Sequence, residues 1–202
     1  MRFCLFTLIL LVISYVLGLA CDLWKMPANP YVALSSLTPR RDFPGLANFA
    51  FISEGLYRGE QPGPEGIAQL KKMGVKTIVN LRAFHSDRDA LRGTGLQYVH
   101  IRCQAWHPES EDVAQFIKLV RDEKNQPVFV HCQHGSDRTG MMVASYRILE
   151  LGWSPADAAS EVYNFGYHRI FRDIRSFLLE FSDERMRKLI ERTPAPQVET
   201  IN

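Results

Sequence analysis

Val128-Phe129-Val130-His131-Cys132-Gln133-His134-Gly135-Ser136-Asp137-Arg138-Thr139-Gly140 joins a short apolar run to a segment of helical pattern. Pro127 opens the run, and Val128-Phe129-Val130 predicts a central strand with both faces covered. A helix is expected from about Thr139 to Leu151, so Cys132 to Arg138 occupy a strand-to-helix turn. Such a turn presents successive backbone N–H groups at a helix N-terminus, where a dianionic phosphate is best held. Cys132 starts the turn in that positive field, which favours the thiolate at neutral pH and makes it a nucleophile without a neighbouring base. Arg138 closes it and can present a planar fork to two phosphate oxygens, a contact that lysine does not reproduce. Gly135 lets the backbone turn inward at mid-loop, where a Cβ would crowd a bound anion.

Upstream, Phe49 to Ile52 and Leu56-Tyr57-Arg58 are strand-like, and Pro64 to Met73 predicts a helix with Ile67, Leu70 and Met73 on one face. Gly74 ends it, Thr77 to Leu81 is a compact buried strand, Arg82 to Gly95 a polar loop and Gln97 to Ile101 the next strand. Ser110 is expected to cap a helix reaching about Asp122, with Val113, Phe116, Ile117 and Val120 at helical spacing. Downstream, helices are expected over Pro155 to Tyr163 and Ile170 to Glu180. Strands alternating with helices predict an α/β fold: a central, at least partly parallel sheet with helices on both faces.

The domain organisation read from this pattern is a signal peptide or membrane anchor over 1–21, a linker over 22–48, the folded domain over 49–192 and a polar tail over 193–202. Arg2 precedes an uncharged apolar stretch from Phe3 to Ala20, which predicts export with the domain outside the cytoplasm. Three mechanisms stay open: cleavage after Gly18-Leu19-Ala20, lipidation of Cys21, or retention as a single-pass anchor. Membrane contact is expected through this segment only. With 24 basic and 22 acidic side chains, a net charge of +2 and no long basic run, nucleic acid is not an expected partner. Only Cys103 and Cys132 fall in the folded part, too few for a disulfide framework; a fixed bridge between them would block the nucleophile, and a reversible one would protect it.

The segment His131-Cys132, five residues, then Arg138-Thr139-Gly140, with Gly135 three residues after the cysteine, resembles the signature loop of protein-tyrosine and dual-specificity phosphatases. Leu56-Tyr57-Arg58-Gly59-Glu60-Gln61-Pro62 and Val79-Asn80-Leu81-Arg82 are similar to strands of compact bacterial members, and the resemblance runs from about Phe49 to Glu180. It implies a two-step phosphatase without a cofactor, in which Cys132 attacks phosphorus and Gln133, His134, Gly135, Ser136, Asp137 and Arg138 hold the phosphate. His131 would support the cysteine, and Thr139 would offer a hydroxyl to the departing thiolate or cap the helix. The family's general acid is an aspartate on the loop before the helix at Ser110, but that place holds Trp106; Glu109 and His107 are the nearest candidates. Trp106 itself reads as a packing residue sooner than a substrate platform.

The expected substrate is a phosphorylated protein or a small phosphate ester, with inositol phosphates as an alternative. Asp137, read as an acidic group at the rim, counts against a polyanion; His168, Arg169, Arg172 and Arg175 read as a solvated helix face, or as a basic rim if they fold towards the site. Two further readings are a rhodanese-like sulfurtransferase and a non-catalytic phosphate-binding module. His131, Cys132, His134, His100, Cys103 and His107 form a pool of metal-ligand types, but 131 and 132, adjacent at a strand end, are expected to point to opposite faces, so no metal is expected.

Overall fold

The computed structural model describes residues 37–202. The expected export segment and Cys21 lie outside the described residues. The strands are β1 (Ala50–Ser53), β2 (Leu56–Gly59), β3 (Thr77–Arg82), β4 (Gln97–Cys103), β5 (Val128–His131) and β6 (Glu199–Thr200). They form one sheet in the order β1-β2-β5-β3-β4-β6. β2, β5, β3 and β4 run parallel, and β1 and β6 pair antiparallel at the two edges. The fold is thus α/β, with the Val128-Phe129-Val130 run in the interior of the sheet between β2 and β3.

Both faces are covered, because successive residues on each interior strand feed separate cores. Val128, Val130, Val79, Leu81, Val99 and Ile101 join the larger core, while Phe129, Ile78 and Tyr98 join the smaller one. Helices α1 (Pro64–Lys72) and α2 (Arg88–Leu91) contribute Ile67, Leu70 and Leu91 to the smaller core. Helices α3 (Ser110–Arg121), α4 (Asp137–Leu151), α5 (Pro155–Glu161), α6 (Arg172–Leu179) and α7 (Asp183–Arg192) cover the other face. α4 is buried on nearly every side and so lacks an amphipathic stripe; its Arg147 is neutralised inside the core by Glu161 at 2.9 Å.

Several elements differ from expectation. Ser110 is the first helical residue of α3, and Glu109 takes the cap position without a side-chain cap bond. α4 starts at Asp137, two residues early, with Ser136 at its cap position, so Thr139 lies inside the first turn and is not the cap. The polar loop after β3 contains α2, anchored by the fully buried Leu91. α6 starts at Arg172, and Ile170 before it is 80% exposed. The polar segment after Arg192 adds β6 to the edge of β4, where Arg88 clamps Glu199 through two hydrogen bonds of 2.8 and 2.6 Å. Within the lead-in, Arg40 bridges to Phe49 and Leu46 is buried in the smaller core.

Candidate active site

Parallel strands carry their C-terminal ends to one edge of the sheet, which is where α/β folds place ligands. The turn from Cys132 to Ser136 leaves β5 at that edge and enters α4. His131 and Cys132 do point to opposite faces: the His131 ring stacks on Phe129 at 5.8 Å, whereas Cys132 joins the larger core at 1% exposure. Gly135 has φ +67°, and a Cβ there would lie 2.5 Å from the Gly59 carbonyl. The glycine is therefore required by the close approach of β2, and the crowding expected against an anion is instead crowding against a neighbouring strand.

From the side of β2, Arg58 donates to the Gly135 carbonyl, buried, with its guanidinium carbon 3.6 Å from the Phe165 ring centroid. Burial pulls this arginine down to about 10, while Glu161 and Cys132 act in the opposite sense. On the other side His131 Nε2 lies 2.8 Å from Asp87 Oδ2 and Nδ1 lies 3.0 Å from the Cys132 carbonyl. The carbonyl only accepts, so Nδ1 donates to it, and the ring is held between the loop backbone and the Asp87 carboxyl. Gln61 completes this corner, donating from Nε2 to Asp87 Oδ1 at 2.8 Å and to His85 Nε2 at 2.7 Å. Arg58, Asp87, Gln61 and His85 were not singled out from sequence as site residues; their signal is tertiary, since they come from two stretches of chain, 58–61 and 85–87, both far from the loop in sequence.

A cavity of about 230 Å³ opens at the loop, lined among others by Arg138, Gln133, Cys103, Arg82, His85 and Trp106. Phe84, 90% exposed, and Trp106, 57% exposed, stand in its wall, so Trp106 is not a packing residue. The Arg138 Nε and the Thr139 Oγ1 are buried and have no hydrogen-bond partner. Cys103 and Cys132 are both free thiols, and burial together with Asp112 pushes the Cys103 thiol up. His107 and Glu109 are 72% and 53% exposed and 4.0 Å apart; neither lines this cavity. His100 is engaged with the Arg82 carbonyl at 2.7 Å.

The remaining loop residues are held from outside. Asn48 Nδ2 donates to the His134 and Phe165 carbonyls, both at 2.9 Å. Asp137 is not an acidic rim: it is 4% exposed, and its two oxygens accept from His168 N at 2.8 Å and Nδ1 at 2.9 Å. Its charge is spent on tethering the segment after α5, which removes the argument from it against a highly charged substrate.

Residues 51–170 match the family model described as "DSP-PTPase phosphatase fused to NAD+ Kinase". The chain belongs to this dual-specificity-phosphatase-like family. The phosphatase domain is 32% identical over 124 residues to the dual specificity protein phosphatase TpbA of Pseudomonas aeruginosa, covering 59% of this chain and 55% of that protein. It is 27% identical over 115 residues to the inositol diphosphatase DSP3 of Arabidopsis thaliana, covering 52% and 55% of the two chains. The domain thus spans about half the length of these curated relatives. A crystal structure of a Cys-to-Ser variant of P. aeruginosa TpbA in complex with phosphotyrosine superposes with a TM-score of 0.65 at 25% identity, over 75% of this chain and 99% of that one.

Proposed function

We propose that this chain hydrolyses phosphate monoesters, phosphorylated proteins first among them, through a phosphocysteine at Cys132. The observation that carries the reading is the buried Cys132 at the start of a strand-to-helix turn, with Arg138 in the cavity wall and Arg58 and His131 on either side of the loop. Loop N–H groups with Arg138 match the equatorial oxygens of a transferring phosphoryl group. The phosphotyrosine bound by the TpbA variant supports a phosphorylated side chain as substrate.

In the first step the Cys132 thiolate forms an S–P bond as the P–O bond to the alcohol breaks, and the departing oxygen takes the electron pair and a proton. In the second, water forms a P–O bond, the S–P bond breaks, and sulfur leaves as thiolate while the water's proton passes to a base or solvent. The Thr139 hydroxyl, buried and unpartnered, suits the role of hydrogen-bonding that thiolate. Glu109 and His107 are proposed proton donors on condition that the loop carrying them closes over the cavity. His85 is the imidazole already in its wall.

The domain is proposed to work outside the cytoplasm, exported or tethered; the apolar stretch from Phe3 to Ala20 behind Arg2 supports this. The test of the chemistry is phosphate release from nitrophenyl phosphate by the full chain. Cys132→Ser is expected to abolish turnover while vanadate binding persists, because the loop amides and Arg138 remain. Turnover within about tenfold of wild type would remove the covalent route. Sulfur transfer from thiosulfate to cyanide, run alongside, separates the sulfurtransferase reading.

A further inference from the structure

The segment after α5 gathers a second concave surface. Arg169, Arg172 and Arg175 line a cavity of about 500 Å³ together with Tyr163, Tyr167 and Ser176. Among the described residues none of the three arginines takes part in an ion pair. Arg169 instead lies 5.8 Å from the Tyr163 ring centroid. Asp173, on α6 with Arg172 and Arg175, is not part of the wall. Three like charges in one concavity repel one another, and an anion set among them offsets that repulsion. Guanidinium groups are suited to it, being weakly hydrated and able to grip a carboxylate with two parallel bonds.

The position of this cavity says what kind of anion fits. The residue before Arg169 is His168, whose backbone and ring both donate to Asp137 of the catalytic turn. The His168 ring lies 5.7 Å from that of His134, so the chain entering the basic cavity is held against the catalytic turn. The two cavities have no wall residue in common. A compact small molecule fits within one of them, whereas an extended chain with its phosphate at Cys132 and acidic side chains a few residues away can reach both. The rings of Tyr163 and Tyr167 offer apolar surface to the stems of such side chains.

We infer that the Arg169–Arg172–Arg175 cavity is a docking site for acidic residues flanking the phosphorylated residue of a protein substrate. The inference rests on the phosphatase reading of the catalytic loop and adds to it a class of sequence context.

The experiment uses the full chain and two phosphotyrosine peptides of equal length, one flanked by Glu and Asp, the other by Gln and Asn. The wild type is expected to favour the acidic peptide in kcat/KM by about tenfold at low salt, as three partly exposed charge pairs allow, and to lose much of that preference as salt rises. The triple variant Arg169→Gln, Arg172→Gln, Arg175→Gln is expected to treat both peptides alike, with hydrolysis of nitrophenyl phosphate unchanged because none of the three touches the catalytic cavity. Equal kcat/KM for the two peptides in the wild type, or a preference that survives the triple variant, overturns the inference. Nitrophenyl phosphate reads the catalytic proposal alone; if the wild type does not hydrolyse it, the same peptide comparison is made by fluorescence anisotropy, where equal affinities overturn the docking site by themselves. Wild-type binding to anionic vesicles, lost in the triple variant and with no peptide preference, overturns it in favour of a membrane contact.

Discussion

Replacing Asp87 by Asn tests whether the buried Asp87–His131 contact, rather than the loop backbone alone, sets the reactivity of Cys132. Asp87 and His131 have side chains 5% and 0% exposed and meet at 2.8 Å, with the second ring nitrogen fixed on the Cys132 carbonyl. Asparagine keeps the shape and a hydrogen bond to the ring but supplies no negative charge. The loss is that of a charged hydrogen bond in a water-excluded site, about 1.5–3 kcal/mol, which loosens the ring that is seated on the Cys132 carbonyl. Alkylation of the full chain by iodoacetate at about pH 6, expressed relative to its rate in strong base, is expected to fall at least about tenfold. Cys103 interferes little, since burial and the neighbouring Asp112 hold it as a thiol; the Cys132→Ser protein supplies the background of the other cysteines. A thermal melt on the same samples separates reactivity from folding. Alkylation at the wild-type relative rate, in a protein that melts normally, would refute the reasoning and reduce Asp87 to a packing residue.

Asp112 is pushed up from 3.8 to about 6, first by burial, against a hydrogen bond from Cys103 that pulls it down. A carboxyl raised on folding binds its proton more tightly in the native state, so its contribution is fully present below about pH 4 and is lost as pH rises through about 6. Asp112→Asn is therefore expected to stabilise the fold above neutrality by on the order of 1 kcal/mol, discounted for solvent screening of a half-buried group, and to give no gain in acid. Melting curves at both ends of that window measure it, and a difference independent of pH would contradict the assignment. For location, a reporter active only in an oxidising compartment, fused after Asn202, is expected to be active; a well-expressed but inactive fusion would contradict export.

The parts of the site that were legible from sequence are those written in consecutive residues. Val128-Phe129-Val130 could be placed inside the sheet because three apolar residues in a row need cover on both faces, and Cys132, Gly135 and Arg138 because their spacing is that of one turn. α3 showed in the period of its apolar residues. α7 carried the same kind of signal, with Met186, Leu189 and Ile190 buried and Ser182 capping, but its polar majority masked it. β6 carried none, since two residues on a sheet edge need no apolar alternation.

The charge partners were not legible for a different reason, and the two aspartates near the loop show why. By sequence proximity Asp137 is the nearer partner for His131, yet it is buried against His168, while Asp87, 44 residues away, takes His131. Strand register decides this. Asn80 of β3 lies opposite His131 of β5, so the chain leaving β3 passes beside the His131 ring and puts Asp87 there, with Asn80 Nδ2 holding the His85 carbonyl on the way at 2.9 Å. α4 meanwhile begins at Asp137, which places that side chain in the first helical turn, where it faces the segment after α5. A sequence motif fixes which residues share a loop, whereas the partner of each buried charge depends on which strand lies alongside, so the groups that tune the nucleophile had to be read from the sheet.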